Sequence, residues 1–308
     1  MLDVRRMRVL REVARHGSFS AAADALSYTQ SAVSQQVAAL EKEAGTKLLE
    51  RGPRGIRLTD SGRALVEHSE AILARLAAAE AELEDIAGLR AGRLRLASFS
   101  SAGATLAPLA AGRFRERHPG IRMALIEANE EASIPMLRAG ELEHALICDP
   151  NVLQETAFEG IERVHLLDDE MYAVLPRDHR LAGRRRLRLT DLADEIWINP
   201  GPTCSLWMEE ECRRQGFEPE VAFSSDQYVT IQGFVAAGVG IALIPELGLH
   251  PVREDVVVRS LGPDGPVRRV MAAVPDAGYR SAATDEMVEI LREVAATFPA
   301  RARELAAA

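Results

Sequence analysis

The chain has 308 residues, 47% of them hydrophobic, and a formal net charge of −9 at pH 7. That length implies two or three domains with packed cores, and the acidic balance excludes a chain that coats nucleic acid along its length. Charge is unevenly spread, however: Met1–Leu58 holds ten Lys/Arg against six Asp/Glu, net +4, which leaves −13 on the remainder. A small basic head on an acidic body suits local contact with DNA. No apolar run approaches the ~20 residues of a membrane span. The start carries Arg5, Arg6 and Arg8 with no apolar block behind them, so no secretory signal is expected and the cytoplasm is the expected location.

Val4 to His16 reads as a first helix with an apolar face of Met7, Leu10, Val13 and Ala14. Gly17 stops it, and Ser18 or Ser20 can cap the next helix, which runs to Leu26. Ser27-Tyr28-Thr29 makes a turn. A third helix begins at Thr29 or Gln30 and runs to about Ala44, ended by Gly45. Val33, Val37, Leu40 and Ala44 fall on one apolar face. Gln30, Ser31, Ser34 and Gln35 crowd the first turns instead. A helix with short polar side chains at its N-terminal end, braced by a preceding short helix, is the recognition half of a helix-turn-helix. Ser20 and Thr29 read equally as helix caps and as ends that meet a DNA phosphate. Leu48-Leu49 and Ile56-Arg57-Leu58 then form a hairpin around Gly52-Pro53-Arg54-Gly55. This wing has Arg54 at its tip and Arg51 and Arg57 at its flanks, suited to phosphate or the minor groove.

Thr59-Asp60-Ser61 starts a long helix expected to reach about Ala87. Leu65, Ile72, Ala79 and Ile86 recur every seven residues, with Ser69, Leu76 and Leu83 between them. A heptad seam on one long helix needs a partner, so dimerisation is expected here. After Gly88–Gly92 the pattern becomes strand (Arg93–Phe99), small-residue turn (Ser100–Thr105), helix (Leu106–His118), strand (Ile121–Ile126), helix (Ala132–Arg138) and strand (Ala145–Cys148). This rhythm predicts a parallel sheet with helices on its faces. It restarts with strands at Met171–Leu175, Ile196–Ile198, Val221–Phe223 and Gly238–Pro245. A turn is expected at Asn199–Cys204, and helices end near Gln215 and Ala237. A last strand, Val267–Val274, and a last helix, Thr284–Phe298, close the chain. Two α/β lobes joined by crossover strands make a clamshell with a ligand cleft.

Cys148, Cys204 and Cys212 include no Cys-x-x-Cys pair, so no metal site is expected. On one continuous helix Cys204 and Cys212 lie about 12 Å apart, too far to bridge without rearrangement; structural thiols and a redox pair remain as alternatives. No phosphate loop, nucleophile elbow or metal-binding histidine spacing is present, so neither an enzyme nor a cofactor is expected. The seven histidines, beside charged or loop sequence, read as surface residues.

These residues resemble the LysR-type transcriptional regulators. The resemblance is carried by Ser18-Phe-Ser-Ala-Ala-Ala, Thr29-Gln-Ser-Ala-Val-Ser-Gln-Gln-Val-Ala-Ala-Leu-Glu, Leu48-Leu-Glu-Arg, Arg57-Leu-Thr-Asp-Ser-Gly62, Gly140-Glu-Leu-Glu143, Leu192-Ala-Asp-Glu-Ile-Trp197 and Ala236-Ala-Gly-Val-Gly-Ile-Ala-Leu-Ile-Pro245. It spans essentially the whole chain. It implies an α/β protein with an N-terminal winged helix-turn-helix at 1–58, a dimerising linker helix at 59–88 and an effector-binding domain at 89–308. That domain is periplasmic-binding-protein-like, with lobe I at about 92–163 and 266–300 and lobe II at about 164–265. The implied partners are double-stranded DNA carrying an interrupted palindrome, a small-molecule effector between the lobes, and further copies of the chain in a dimer or tetramer.

By the same resemblance Gln30, Ser31, Ser34 and Gln35 meet base edges, and Arg51 and Arg54 serve the wing. The family commonly carries Arg where Gln35 stands, and Gln suits adenine where Arg suits guanine. The implied effector contacts are Ser100, Ser101, Asn129, Glu130, Pro200, Gly201, Pro202 and Thr203. Glu130 disfavours an acidic effector if it faces the cleft; the rarity of unpaired buried Glu favours water instead. A ligand-independent architectural DNA-binding protein and a redox sensor using Cys204 and Cys212 are the alternatives.

Overall fold

A computed structural model describes residues 1–52, 55–86, 93–148, 155–276 and 280–298; for some of these, Arg51 and residues 202–204 among them, it describes the backbone alone. The chain divides into two compact units, Met1–Ala87 with Arg138–Glu141, and the remainder.

In the first unit α1 (Val4–His16), α2 (Phe19–Leu26) and α3 (Gln30–Ala44) follow the expected order. Asp3 caps α1, its carboxylate accepting the Arg5 and Arg6 N–H groups at 2.8 and 3.2 Å. Gly17 and Gly45 end α1 and α3 in the left-handed region, at φ 61° and 68°, where a Cβ is unfavourable. Ser18, not Ser20, caps α2. The turn is made by Ser27 at φ 55°, a position that costs a non-glycine residue about 1 kcal/mol or more. The helices close over Val9, Val13, Ala22, Val33 and Val37, and a second cluster gathers Met7, Leu10, Leu40 and Leu48. Strands β1 (Leu49–Gly52) and β2 (Gly55–Leu58) pair antiparallel, Leu49 opposite Leu58 and Gly52 opposite Gly55.

Helix α4 runs 27 residues, Asp60–Ile86. Gly62 lets its first turn lie against the wing: a Cβ there would collide with the Leu48 carbonyl oxygen. Leu65 differs from the expectation of a free seam, because it packs on the Met7–Leu48 cluster of its own head. Further along, Ile72, Leu76 and Leu83 are 41%, 47% and 65% exposed. Ala79 is exposed as well, while the side chain of Ile86 lies outside the described residues.

The second unit contains β3 (Arg93–Ser98), α5 (Ser100–Ala104), α6 (Leu106–Arg117), β4 (Arg122–Glu127), α7 (Glu130–Arg138) and β5 (His144–Cys148). Then come β6 (Ile161–Pro176), β7 (Ile196–Pro200), α8 (Pro202–Arg214), β8 (Glu220–Ser225) and α9 (Tyr228–Ala236). The last elements are β9 (Ala242–Pro245), β10 (Val256–Ser260), β11 (Val267–Pro275) and α10 (Ala282–Thr297). The main sheet has the order β10-β6-β11-β5-β3-β4, with β9 also on β6, and β7 and β8 form a separate parallel pair.

Three expectations change. The sheet is mixed: β3, β4 and β5 are parallel, but β11 returns antiparallel to both β5 and β6. The strand expected at Met171–Leu175 is the end of a 16-residue strand. Its first part pairs with β11 down to Glu170, and Met171–Pro176 pairs with β9 and β10. One strand therefore carries the chain from one lobe's sheet to the other's. Finally, Ser100–Ala104 is helical, and the expected turn at Asn199–Cys204 is divided between the end of β7 and the first turn of α8. The rear of the first lobe is held by Leu94, Leu106, Phe114, Ile290 and Leu291, and the second lobe closes on Trp197, Leu175, Leu243 and Met208.

Candidate DNA-binding face and effector cleft

The recognition helix separates its duties by face. Val33, Val37 and Leu40 are buried, whereas Gln30, Ser31 and Gln35 are exposed and Ser34 is half-buried. The Thr29 hydroxyl accepts the Ala32 N–H at 3.2 Å and lies 3.1 Å from the Ser31 hydroxyl. Thr29 is thus a cap, and its exposure leaves the helix end open to an anion as well. Ser20 is exposed in the first turn of α2. Arg51 stands on β1 with its side chain outside the described residues, and Arg54 lies outside them altogether. Behind this face Glu41 supports the wing: its carboxylate accepts Lys47 Nζ at 2.7 Å and the Leu48 N–H at 3.0 Å.

In the second unit, the turn after β3 meets the loop after β8, which lies against the end of β7. Ser100 opens α5 and donates its hydroxyl to the Asp226 carbonyl of the opposite lobe at 3.3 Å. Asp226 in turn presses on Gly201, where a Cβ would overlap its Oδ1. The structure thus links Ser100 to Gly201 through a residue that the sequence did not single out. Pro200 and Gly201 are buried, while Pro202 and Thr203 have only their backbone described, in the first turn of α8. Asn199, fully buried beside them, donates to the Ser205 hydroxyl at 2.9 Å, and Ser205 donates to Glu209 at 2.8 Å.

Ser101 is 2% exposed and accepts a 2.6 Å hydrogen bond from Arg268. Arg268 is paired with Asp169 on β6 at 2.7 Å, with side-chain exposures of 6% and 0%, and lies over the Phe99 ring at 5.0 Å. Asp169 also accepts the Leu247 N–H at 3.1 Å. Burial pushes the Asp169 carboxyl up, and the Arg268 charge opposes it. The turn after β3 is therefore tied to the strand that crosses between the lobes. No sequence motif marks Arg268 or Asp169; their one signal is a charge at an inward position of an alternating strand. Glu246, next to this pair, is pushed up to about 7, first by burial and then by the Asp169 and Glu170 charges.

Asn129 is exposed and caps α7 by accepting the Ala132 N–H at 3.2 Å. Glu130 corrects the expectation that it faces water. It is 6% exposed, and its carboxylate accepts the Cys148 N–H at 2.5 Å. A main-chain donor at the end of β5 supplies the partner that a buried carboxylate requires. His144 corrects the reading of all histidines as surface residues: it is 1% exposed, bonds the Thr284 carbonyl at 2.7 Å, and burial lowers it to about 4. Cys212 lies in the second lobe's core and burial pushes its thiol up to about 12, the opposite of what a reactive thiolate needs. It shares the continuous helix α8 with Cys204. Among the described residues no His/Cys/Asp/Glu group could hold a metal ion, and no helix is long and apolar enough to cross a membrane.

An exposed polar recognition helix with a wing, together with a two-lobed α/β unit whose cleft gathers loops, defines a ligand-responsive DNA-binding protein. Residues 4–63 match the family of bacterial regulatory helix-turn-helix proteins of the lysR family, and residues 87–296 match the LysR substrate binding domain. A probable hydrogen peroxide-inducible genes activator of Mycobacterium avium is 34% identical over 78% of this chain and 76% of its own. The transcriptional regulator CbbR of Rhodospirillum rubrum is 33% identical over 78% of each chain. The fold is shared with a full-length OxyR variant of Pseudomonas aeruginosa, at a TM-score of 0.69 and 22% identity over 95% of this chain and 98% of that one. The chain belongs to the LysR family of transcriptional regulators. It is a DNA-binding regulator that carries an effector-binding domain.

Proposed function

We propose that the protein reads operator half-sites through Gln30, Ser31, Ser34 and Gln35, with Ser20 and Thr29 at phosphates and Arg51 and Arg54 on the wing. The observation that carries this reading is the exposed polar face of α3, which the fold does not use. We divide the chain into a head at 1–58, a linker helix at 59–88 and a sensor at 89–308. The exposed row of Ile72, Leu76, Ala79 and Leu83 supports pairing of two linker helices, because an apolar stripe on a long helix is otherwise left in water. Exposed Leu125 and Ile126 on the edge strand β4 support further assembly into a tetramer. The effector is a small molecule held between Ser100, Ser101 and Asn129 on one side and Pro200–Thr203 on the other. With Glu130 occupied by a backbone N–H, its carboxylate favours no effector class. The protein is a regulator working in the cytoplasm and not an enzyme. The test is Gln35→Ala on a selected operator: discrimination at one base pair of each half-site drops by about 1–3 kcal/mol, while non-specific affinity holds. An equal loss on all sequences in competition binding would remove Gln35 from base reading.

A further inference from the structure

The arginines of α1 divide into two sets. Arg6 pairs with Glu43 and donates to Gln36 Oε1 at 3.2 Å, and Arg11 pairs with Glu12 at 2.9 Å. Arg5 and Arg8, one turn apart on the neighbouring face, are exposed and have no acidic partner among the described residues. With Val9, Leu26 and Tyr28 they line a surface hollow of about 210 Å³. That is below the ~300–1,000 Å³ of small-molecule pockets, and no acidic side chain lines it. Tyr28 is 53% exposed, an aromatic residue in a turn that the hydrophobic core leaves outside. It immediately precedes Thr29, the cap of the recognition helix.

We propose that Arg5, Arg8 and Tyr28 form a phosphodiester-binding site that grips the DNA backbone beside the recognition helix. The inference rests on the chain's reading as a DNA-binding regulator and adds contacts from α1 to those of α3 and the wing. Three observations converge. Two guanidinium groups at helical spacing i, i+3 line the same hollow and have no acidic partner among the described residues. The apolar floor of Val9 and Leu26 supports their stems and leaves the charged ends outward. Tyr28 on the rim of the hollow is followed directly by Thr29, which caps the Ala32 N–H at the start of α3, and such a helix end favours an anion. A phosphate there receives charge-assisted hydrogen bonds from planar donors and a hydroxyl from Tyr28. Such contacts position the head on the duplex and carry no sequence information.

The experiment measures affinity of the full chain by fluorescence anisotropy across a potassium chloride series. The probes are a duplex of about 40 base pairs, selected by the wild-type protein from a random pool, and a scrambled duplex of equal length. Arg5→Gln/Arg8→Gln keeps the stems and removes both charges; Arg5→Lys/Arg8→Lys keeps the charges. Each neutralised phosphate contributes about 0.9 to the slope of log affinity against log salt. The Gln pair is expected to lower that slope by about 0.9, with affinity falling by a similar factor on both duplexes, while the Lys pair keeps the wild-type slope. Wild-type binding with an unchanged slope in the Gln pair overturns this inference alone, as does a loss confined to the selected duplex. A wild-type chain that binds neither duplex overturns the regulator reading and the inference with it. Thermal unfolding of both variants separates a misfolded head from a lost contact: a Gln pair that melts with the wild type and loses slope supports the site. If the Gln pair unfolds, the Tyr28→Phe chain replaces it: a weaker affinity, equal on both duplexes, supports the site, and wild-type affinity overturns it.

Discussion

The recognition helix α3 and the short helix α5 both set serines in their first turn, yet they are built in opposite ways. At the start of α3, Gln30, Ser31 and Gln35 stand exposed, while Thr29 serves the fold as a cap. At α5, Ser101 is 2% exposed and gripped by Arg268, which is itself held by Asp169 at the centre of the crossover strand. The first arrangement lets the exposed residues change without touching stability. The second makes one set of residues carry the fold and the site together, so that whatever disturbs Ser101 is felt in β6 and β11.

The largest effect that separates the two regions is Arg268→Ala. It leaves the Asp169 carboxylate buried without its counter-charge, a loss of about 3–5 kcal/mol, whereas Gln35→Ala changes stability by no more than about 0.5 kcal/mol. Denaturant unfolding of both variants checks this; an Arg268→Ala chain within about 1 kcal/mol of wild type would break the comparison. Gly201→Ala comes next. Its Cβ drives into Asp226, displacing the residue whose carbonyl accepts the Ser100 hydroxyl. Overpacking of this kind costs about 1–3 kcal/mol. Because the obstacle is one side chain, Gly201→Ala/Asp226→Ala recovers most of the loss, and a double-mutant cycle on unfolding free energy reads the coupling. Strict additivity would show that the contact does not hold the cleft.

How much was legible in the sequence follows the same division. The head was readable almost to the residue, because caps, left-handed glycines and the 3.6-residue period are local signals, and α1 and α3 end at Gly17 and Gly45 as expected. The linker helix was readable as a period but not as a set of roles: Leu65 obeys the heptad and yet packs against the Met7, Leu10, Leu40 and Leu48 cluster of the head, a tertiary choice that no spacing records. In the sensor, the first ten residues of β6 were missed since Glu162, Arg163, Asp168, Asp169 and Glu170 obscure the alternation. Asp169 points inward only because Arg268, 99 residues away, comes to meet it. Glu130 was misjudged for a related reason: the N–H that makes its burial tolerable belongs to Cys148 on another strand. Polar residues that find their partners at a distance are invisible to rules built on neighbours.

The smallest effect sharpens the contrast by pH. No residue among Gln30, Ser31, Ser34 and Gln35 titrates, so these positions of α3 have no charge of their own to change. The sensor has Glu246, raised from its ordinary 4.5 to about 7 by burial and by the nearby Asp169 and Glu170 carboxylates. Its Oε1 is buried without a hydrogen-bond partner. A carboxyl whose folded value is raised binds its proton more tightly in the folded state. Its contribution is therefore complete below about pH 4.5 and is lost as pH rises through about 7. Since the residue is only half-buried, solvent screening reduces the effect to about 1 kcal/mol. Glu246→Gln fixes the neutral form and should be more stable than wild type at pH 8 by that amount, while matching it at pH 5. Unfolding measured at both values for the two chains isolates the residue from every other titrating group. A difference that stays constant between pH 5 and 8 would assign the effect to packing and remove Glu246 as a source of pH sensitivity beside the Arg268–Asp169 pair.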